Sequence, residues 1–134
     1  MEGNILIIEN DQELARMLQL RLSRLGFTVA AHHQGQHGLA AATTERPDAI
    51  LTALNLPDLS GIELCNQISA RWPEIPVVIM TAFGSMEAAI AAIRAGAYDF
   101  ITKPFEISHL ELVLKRAVTH RRLQATVKRL SQAL

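Results

Sequence analysis

Three features of this 134-residue sequence predict a doubly wound α/β domain. Five short apolar runs recur at intervals too long for hairpins, helical patterns fill the intervals, and Gly, Pro or a capping residue bounds each pattern. The runs fall at 5–8, 27–31, 49–53, 77–80 and 100–102. Such alternation forces right-handed crossovers and a parallel sheet covered on both faces. A run like Ile5-Leu6-Ile7-Ile8 therefore has no polar side.

The intervals follow the same logic in chain order. Leu14, Met17, Leu18, Leu22 and Leu25 fall at helical spacing, with Asp11 placed as N-cap and Gly26 as terminator. Further helices are expected at 34–45, 61–72, 85–95 and from 107 onward. In the last of these, Leu110, Val113, Leu114 and Ala117 are followed by a second seam at Leu123, Val127, Leu130 and Leu134. That spacing of 4, 3 and 4 is heptad-like, over too few turns to establish a coiled coil. We expect a domain over 1–120 and a helical extension over 121–134. The extension would run into a partner helix or toward a C-terminal region missing from this chain.

Composition narrows the function classes. With 49% hydrophobic and 19% charged residues, the chain fits a single core. Thirteen Lys and Arg balance thirteen Asp and Glu, so the whole domain has no electrostatic bias toward nucleic acid or anionic membrane. Yet Lys115, Arg116, Arg121, Arg122, Lys128 and Arg129 all follow Glu111, and no acid follows them. The single Cys65 excludes an internal disulfide. There is no charged-then-apolar leader and no apolar run near the length of a membrane span, so a cytoplasmic protein is expected.

In a doubly wound sheet, ligands sit outside the carboxyl ends of the strands, where strand order reverses. The side chains expected there are Glu9, Asn10, Ala53, Asn55, Thr81 and Lys103. Carboxylates holding a hard divalent cation, with a hydroxyl and a lysine, suit phosphoryl transfer, which needs positioning and charge neutralisation. Thr81 and Lys103 supply half of such a site. The acid half is damaged: position 53 is a methyl, and Asn10 is an amide.

From Asn4 to about His120 the sequence resembles the receiver domain of two-component response regulators. The matching pieces are Ile-Leu-Ile-Ile-Glu-Asn-Asp from Ile5, Leu-Pro-Asp-Leu-Ser-Gly from Leu56, Met-Thr-Ala from Met80 and Gly-Ala-Tyr-Asp-Phe-Ile-Thr-Lys-Pro-Phe from Gly96. Ala82-Phe83-Gly84-Ser85 and the 96–105 stretch look most like receivers of the NtrC type, which precede an ATPase and DNA-binding region.

The resemblance implies a CheY-like (flavodoxin-like) five-stranded parallel sheet of order 2-1-3-4-5. It also implies a signalling module with no enzyme activity of its own, served by a histidine kinase and an output or effector domain. The family's phosphoryl-accepting Asp falls on Ala53. Its two Mg2+-binding acids fall on Glu9 and Asn10, and Asn55 falls where a backbone carbonyl completes the coordination. Thr81 matches the hydroxyl that meets the phosphoryl oxygens, Lys103 the lysine that pairs with them, and Phe100 the aromatic that changes rotamer. Pro104 matches a proline usually preceded by a cis peptide.

Independently of any family, a methyl cannot form an acyl phosphate, and a neutral amide is a poorer Mg2+ ligand than a carboxylate. We therefore expect phosphorylation at 53 to be excluded, Mg2+ binding to be weak or lost, and no other cofactor. Asp11 is better used as a cap and Asp58 lies in a loop, so neither is expected to substitute. Lys103, with one acid fewer nearby, should pair with Glu9. Two histories fit: a natural pseudo-receiver, or an Asp-to-Ala change that traps the unphosphorylated state.

Blander readings take the remaining motifs. His33 and His37 have the spacing of a zinc pair, but no Cys or acid completes a set, so a solvated loop is favoured. Cys65, with Ile68 and Trp72, fits the buried side of a helix rather than a reactive thiol. The Ala-rich stretch 87–97, with Ile90 and Ile93, fits packing against the sheet or docking of a partner. The basic tail fits a linker, with DNA contacted only through an output domain absent from this chain, and its seam makes a homodimer reasonable. A flavin or nucleotide enzyme on the same fold would need a glycine-rich loop after the first strand, and Glu9-Asn10-Asp11-Gln12-Glu13 has none.

Overall fold

The structure is a computed structural model that describes residues 3–82 and 84–133. Five strands, β1 (Asn4–Ile8), β2 (Thr28–His32), β3 (Ala49–Ala53), β4 (Val77–Thr81) and β5 (Asp99–Thr102), form one parallel sheet of order β2-β1-β3-β4-β5. Five helices alternate with them: α1 (Gln12–Arg24), α2 (Gly35–Glu45), α3 (Gly61–Arg71), α4 (Met86–Arg94) and α5 (Ile107–Ala133). The expected strand order and element sequence are both present.

Each face of the sheet has its own core, because successive strand side chains point to opposite sides. Ile5, Ile7, Leu51, Val78 and Met80 pack with Leu18 and Leu22 of α1 and Leu110, Leu114 and Val118 of α5. Leu6, Ile8, Ile50, Val77 and Ile79 pack with Ala42 of α2, Leu64 and Ile68 of α3 and Ala92 of α4. Every residue of β3 and β4 is buried. The expected cover on both faces thins at one edge, where β2 has an exposed Thr28 and is otherwise only half-buried. That strand pairs on one side alone, with β1.

Local sequence explains the element ends. Asp11 Oδ1 accepts from the backbone N–H groups of Glu13 and Leu14, 3.1 Å each, satisfying two donors that the first turn of α1 leaves open. Gly26, at φ 97°, carries the chain out through a left-handed turn that a side chain would strain. Met17 shares the helical spacing of the α1 core residues but stays 38% exposed at the rim. Ser60 caps α3 and Ser85 caps α4 through their hydroxyls. Cys65, Ile68 and Trp72 do lie on the inner side of α3. The Cys65 thiol is buried, donates to the Ala95 carbonyl at 3.4 Å, and is pushed above its ordinary pKa by that burial.

Helix α5 runs unbroken to Ala133, yet its last buried residue is Val118. Beyond it Leu123, Val127 and Leu130 are exposed, while Leu134 lies outside the described residues. Arg122, itself exposed, approaches the half-buried Asp48 at 3.9 Å, a long and partly hydrated pair that contributes little. None of the described helices is long and apolar enough to cross a membrane.

Candidate functional site

Sheet register aligns the strand ends. Ile8 sits beside Thr52, Ala53 beside Met80, and Thr81 beside Thr102, so Glu9, Ala53, Thr81 and Lys103 follow one another along the carboxyl edge. The strand order reverses between β1 and β3, where Glu9 and Ala53 lie side by side. Glu9, Asn10, Ala53, Asn55, Thr81, Lys103 and Pro104 lie along this edge or in the loops just beyond it, while Phe100 sits further back, within β5 beside Ile79.

Glu9 is 2% exposed, and both of its carboxylate oxygens accept hydrogen bonds. Lys103 Nζ donates to Oε1 at 2.8 Å, and the Asp11 backbone N–H donates to Oε2 at 3.1 Å. A buried carboxylate is tolerated because charge and hydrogen bonds compensate its lost hydration. The expected Glu9–Lys103 ion pair is therefore present, with Lys103 still 27% exposed to water. The Lys103 N–H donates to the Thr81 carbonyl at 2.6 Å, which ties the start of the β5–α5 loop to the end of β4. A cis peptide joins Lys103 to Pro104.

Ala53 is 3% exposed at the end of β3. The Gly61 N–H donates to the Leu54 carbonyl at 2.7 Å, folding the start of α3 onto the end of β3. A side chain at Gly61 would run into the Ala53 carbonyl oxygen, so only glycine fits there. Thr81 is buried at the end of β4. Phe100 is half-buried against the α2–α4 side of the core. Asn10 and Asn55 are exposed in the loops beyond β1 and β3.

The two acids considered as substitutes are both committed elsewhere. Asp11 caps α1. Asp58 reaches from the β3–α3 loop to the first turn of α2, where Oδ1 accepts from the Gly35 N–H at 2.8 Å and Oδ2 from the Gln36 N–H at 2.9 Å. These two bonds hold the Asp58 carboxyl below its ordinary pKa. Asp58 lies in the loop, as expected, but is not idle there. Its target lies 23 positions away, and only the β2–α2–β3 crossover, which returns both loops to the carboxyl end of the sheet, brings them together.

His33 is exposed in the loop between β2 and α2, as expected, and adds one contact to the site. Its Nδ1 lies 3.1 Å from the Glu9 carbonyl, an oxygen that can only accept, so this contact holds the Nδ1–H tautomer. His37 belongs to the first turn of α2 and is exposed. Among the described residues, no group of three or more His, Cys, Asp or Glu side chains is arranged to hold a metal ion.

Comparison with known proteins gives one answer. Residues 5–115 match the family described as the response regulator receiver domain. The chain is 33% identical over 123 residues to the DNA-binding transcriptional regulator NtrC of Proteus hauseri, covering 92% of this chain and 26% of that protein. Among solved structures it is similar to NtrX from Brucella abortus, with a TM-score of 0.89 at 32% identity over 97% of this chain and 30% of that one. It is also similar to a response regulator receiver domain protein from Clostridium thermocellum, with a TM-score of 0.86 at 25% identity over 91% of this chain and 98% of that one. The chain thus spans about a quarter of the length of the NtrC relatives it matches.

Proposed function

We propose, since this chain belongs to the response regulator receiver domain family, that it is a receiver module of phosphorelay signalling that acts through protein contacts and takes no phosphoryl group at position 53. The observation that carries this reading is the buried Ala53 methyl where an acceptor carboxylate would stand, beside a lysine already paired with Glu9. Acyl phosphate formation needs a carboxylate oxygen as nucleophile, and a methyl supplies none.

Mg2+ would have to be held by Glu9, the Asn10 amide and the Asn55 carbonyl. That donor set does not fit the ion well. Both Glu9 oxygens already accept hydrogen bonds, Asn10 is neutral and exposed, and a hard dication prefers charged oxygens. Weak or absent Mg2+ binding belongs to the proposal. So do a cytoplasmic setting, partners in the form of a histidine kinase or an output domain, and DNA contact only through such an output domain.

Incubation with acetyl phosphate or beryllofluoride at millimolar Mg2+, read by intact-mass spectrometry and by amide chemical shifts around 53–61, should leave the chain unchanged. Stoichiometric incorporation would overturn the reading. Retained Thr81, Lys103 and Phe100 favour a second reading, in which Ala53 stands in place of an acceptor Asp and the rest of the switch is intact. Ala53→Asp separates the two: Mg2+-dependent incorporation in that variant supports an intact switch, and inertness supports a site eroded at Asn10 as well.

A further inference from the structure

Helix polarity sorts the charges of this domain. All strands of the sheet are parallel, so the helices run back toward its amino edge, and their end residues follow the macrodipole. Glu13, Glu63 and Glu87 stand in first turns, while Arg21, Arg24, Arg71 and Arg94 stand in last turns. The amino edge, opposite the crevice, is thus the basic end. Helix α5 leaves the domain there, since its Arg122 approaches Asp48 just before β3, and it carries the asymmetry outward. Seven Lys and Arg against thirteen Asp and Glu give residues 1–114 a formal charge of −6, and six Lys and Arg against no acid give 115–134 a formal charge of +6.

Where α5 passes the turn before β4, the two enclose a cleft of about 330 Å³ lined by Glu74, Arg121, Gln124, Lys128, Arg129 and Gln132. Arg121 Nε is the one buried side-chain nitrogen or oxygen without a hydrogen-bond partner among the described residues. Leaving such a donor unpaired is costly, and a guanidinium that turns Nε and one Nη toward an oxyanion holds it bidentately. No described carboxylate does this: Glu74 lines the same cleft, yet it forms no ion pair with any described residue.

The spacing of the charges specifies the occupant. Arg121-Arg122 and Lys128-Arg129 are two pairs seven positions apart, so Arg121 and Lys128 share one face to within about 20° and stand roughly 10.5 Å apart along the axis. Acidic pairs seven positions apart on a second helix repeat at that same distance. Gln124 and Gln132 supply neutral amides to the rest of the wall. A nucleic-acid strand carries a charge at about every 3.4 Å of its axis and would press some of them against Glu74.

We infer that the cleft between the β4-leading turn and the α5 extension docks an acidic helix of a partner protein, whose carboxylates seven positions apart meet Arg121 and Lys128. The inference deepens the proposed reading by naming the chemistry of one protein partner, and it rests on that reading only for its use. The contacts are partly hydrated, so the complex is weak and sensitive to salt.

The test is titration of the isotope-labelled 134-residue chain with a capped, alanine-rich helical peptide carrying two Glu-Glu pairs seven positions apart, followed by amide chemical shifts. Shifts should concentrate at 74 and 121–132. The variants change only exposed or half-buried positions. Arg121→Gln and Lys128→Gln should each weaken binding about threefold, the effect of one partly hydrated charge pair. Glu74→Gln should tighten it about as much by removing a repulsion. Arg116→Gln, which removes the same charge about 140° around the helix from Arg121, should leave it unchanged. Absence of shifts at 121–132 overturns the inference, and so does an Arg116→Gln loss equal to that of Arg121→Gln. Tighter binding of a single-stranded oligonucleotide of equal charge also overturns it and makes the extension a surface for a phosphate backbone. Acetyl phosphate incorporation measured on the same samples tests the functional reading separately: a phosphorylated chain that binds the peptide sinks that reading alone, and an inert chain that ignores the peptide sinks the docking alone.

Discussion

The two halves of the crevice differ in what a single substitution removes. On the β4–β5 half, Thr81 and Lys103 are joined by a backbone hydrogen bond, and Lys103 is bound to Glu9. On the β1–β3 half, Asn10 is solvent-exposed and Ala53 makes no side-chain hydrogen bond, yet the loop around it keeps its form through Gly61, Ser60 and Asp58. The loop is therefore shaped by backbone contacts and helix caps. The side chain at position 53 is thus architecturally undemanding: a methyl there leaves the scaffold legible.

That contrast can be broken from either side. Gly61→Ala should have the largest effect, about 3 kcal/mol of lost stability in urea denaturation, because the new methyl collides with the Ala53 carbonyl oxygen and the backbone must move. Lys103→Met should cost about 2 kcal/mol. It leaves Glu9 buried with one backbone donor, and the cost falls below that of a fully buried pair because Lys103 is partly hydrated. Ser60→Ala should cost about 1 kcal/mol through the lost cap on α3. If Lys103→Met proved silent while Gly61→Ala unfolded the chain, the β4–β5 half would owe nothing to its ion pair.

The smallest effect concerns pH. The Asp58 carboxyl is more acidic in the folded chain than its usual value of 3.8, so its contribution to stability is present above that value and is lost as pH falls through the folded pKa. Relative to Asp58→Asn, the wild type should lose its advantage only below about pH 3.8. Denaturant titration at a series of acidic pH values would show the gap closing. A constant gap down to strong acid would mean that the carboxylate charge is not what holds α2.

What sequence could reveal follows the range of the interactions. The strand runs, the Asp11 cap, the Gly26 turn and the Glu9–Lys103 pair were legible because periodicity, local capping or charge balance states them. Asp58 on Gly35 and Gln36, His33 on the Glu9 carbonyl and the Tyr98–His120 ring contact at 5.5 Å were not. Each depends on loops or elements that meet only after the sheet has ordered its strands. The exposed Met17 shows the converse limit: helical spacing names a face, and the neighbouring element decides how far around the helix burial extends.

The continuity of α5 carries a mechanical consequence. From Val118, its last buried residue, to Ala133 the helix projects fifteen residues, or roughly 22 Å at 1.5 Å per residue. A tilt of about 5° at the domain would swing the far end by roughly 2 Å. A sub-ångström rearrangement under Leu114 and Val118 would thus reach whatever α5 touches as a displacement large enough to break a contact, making the helix a lever whose fulcrum is the sheet.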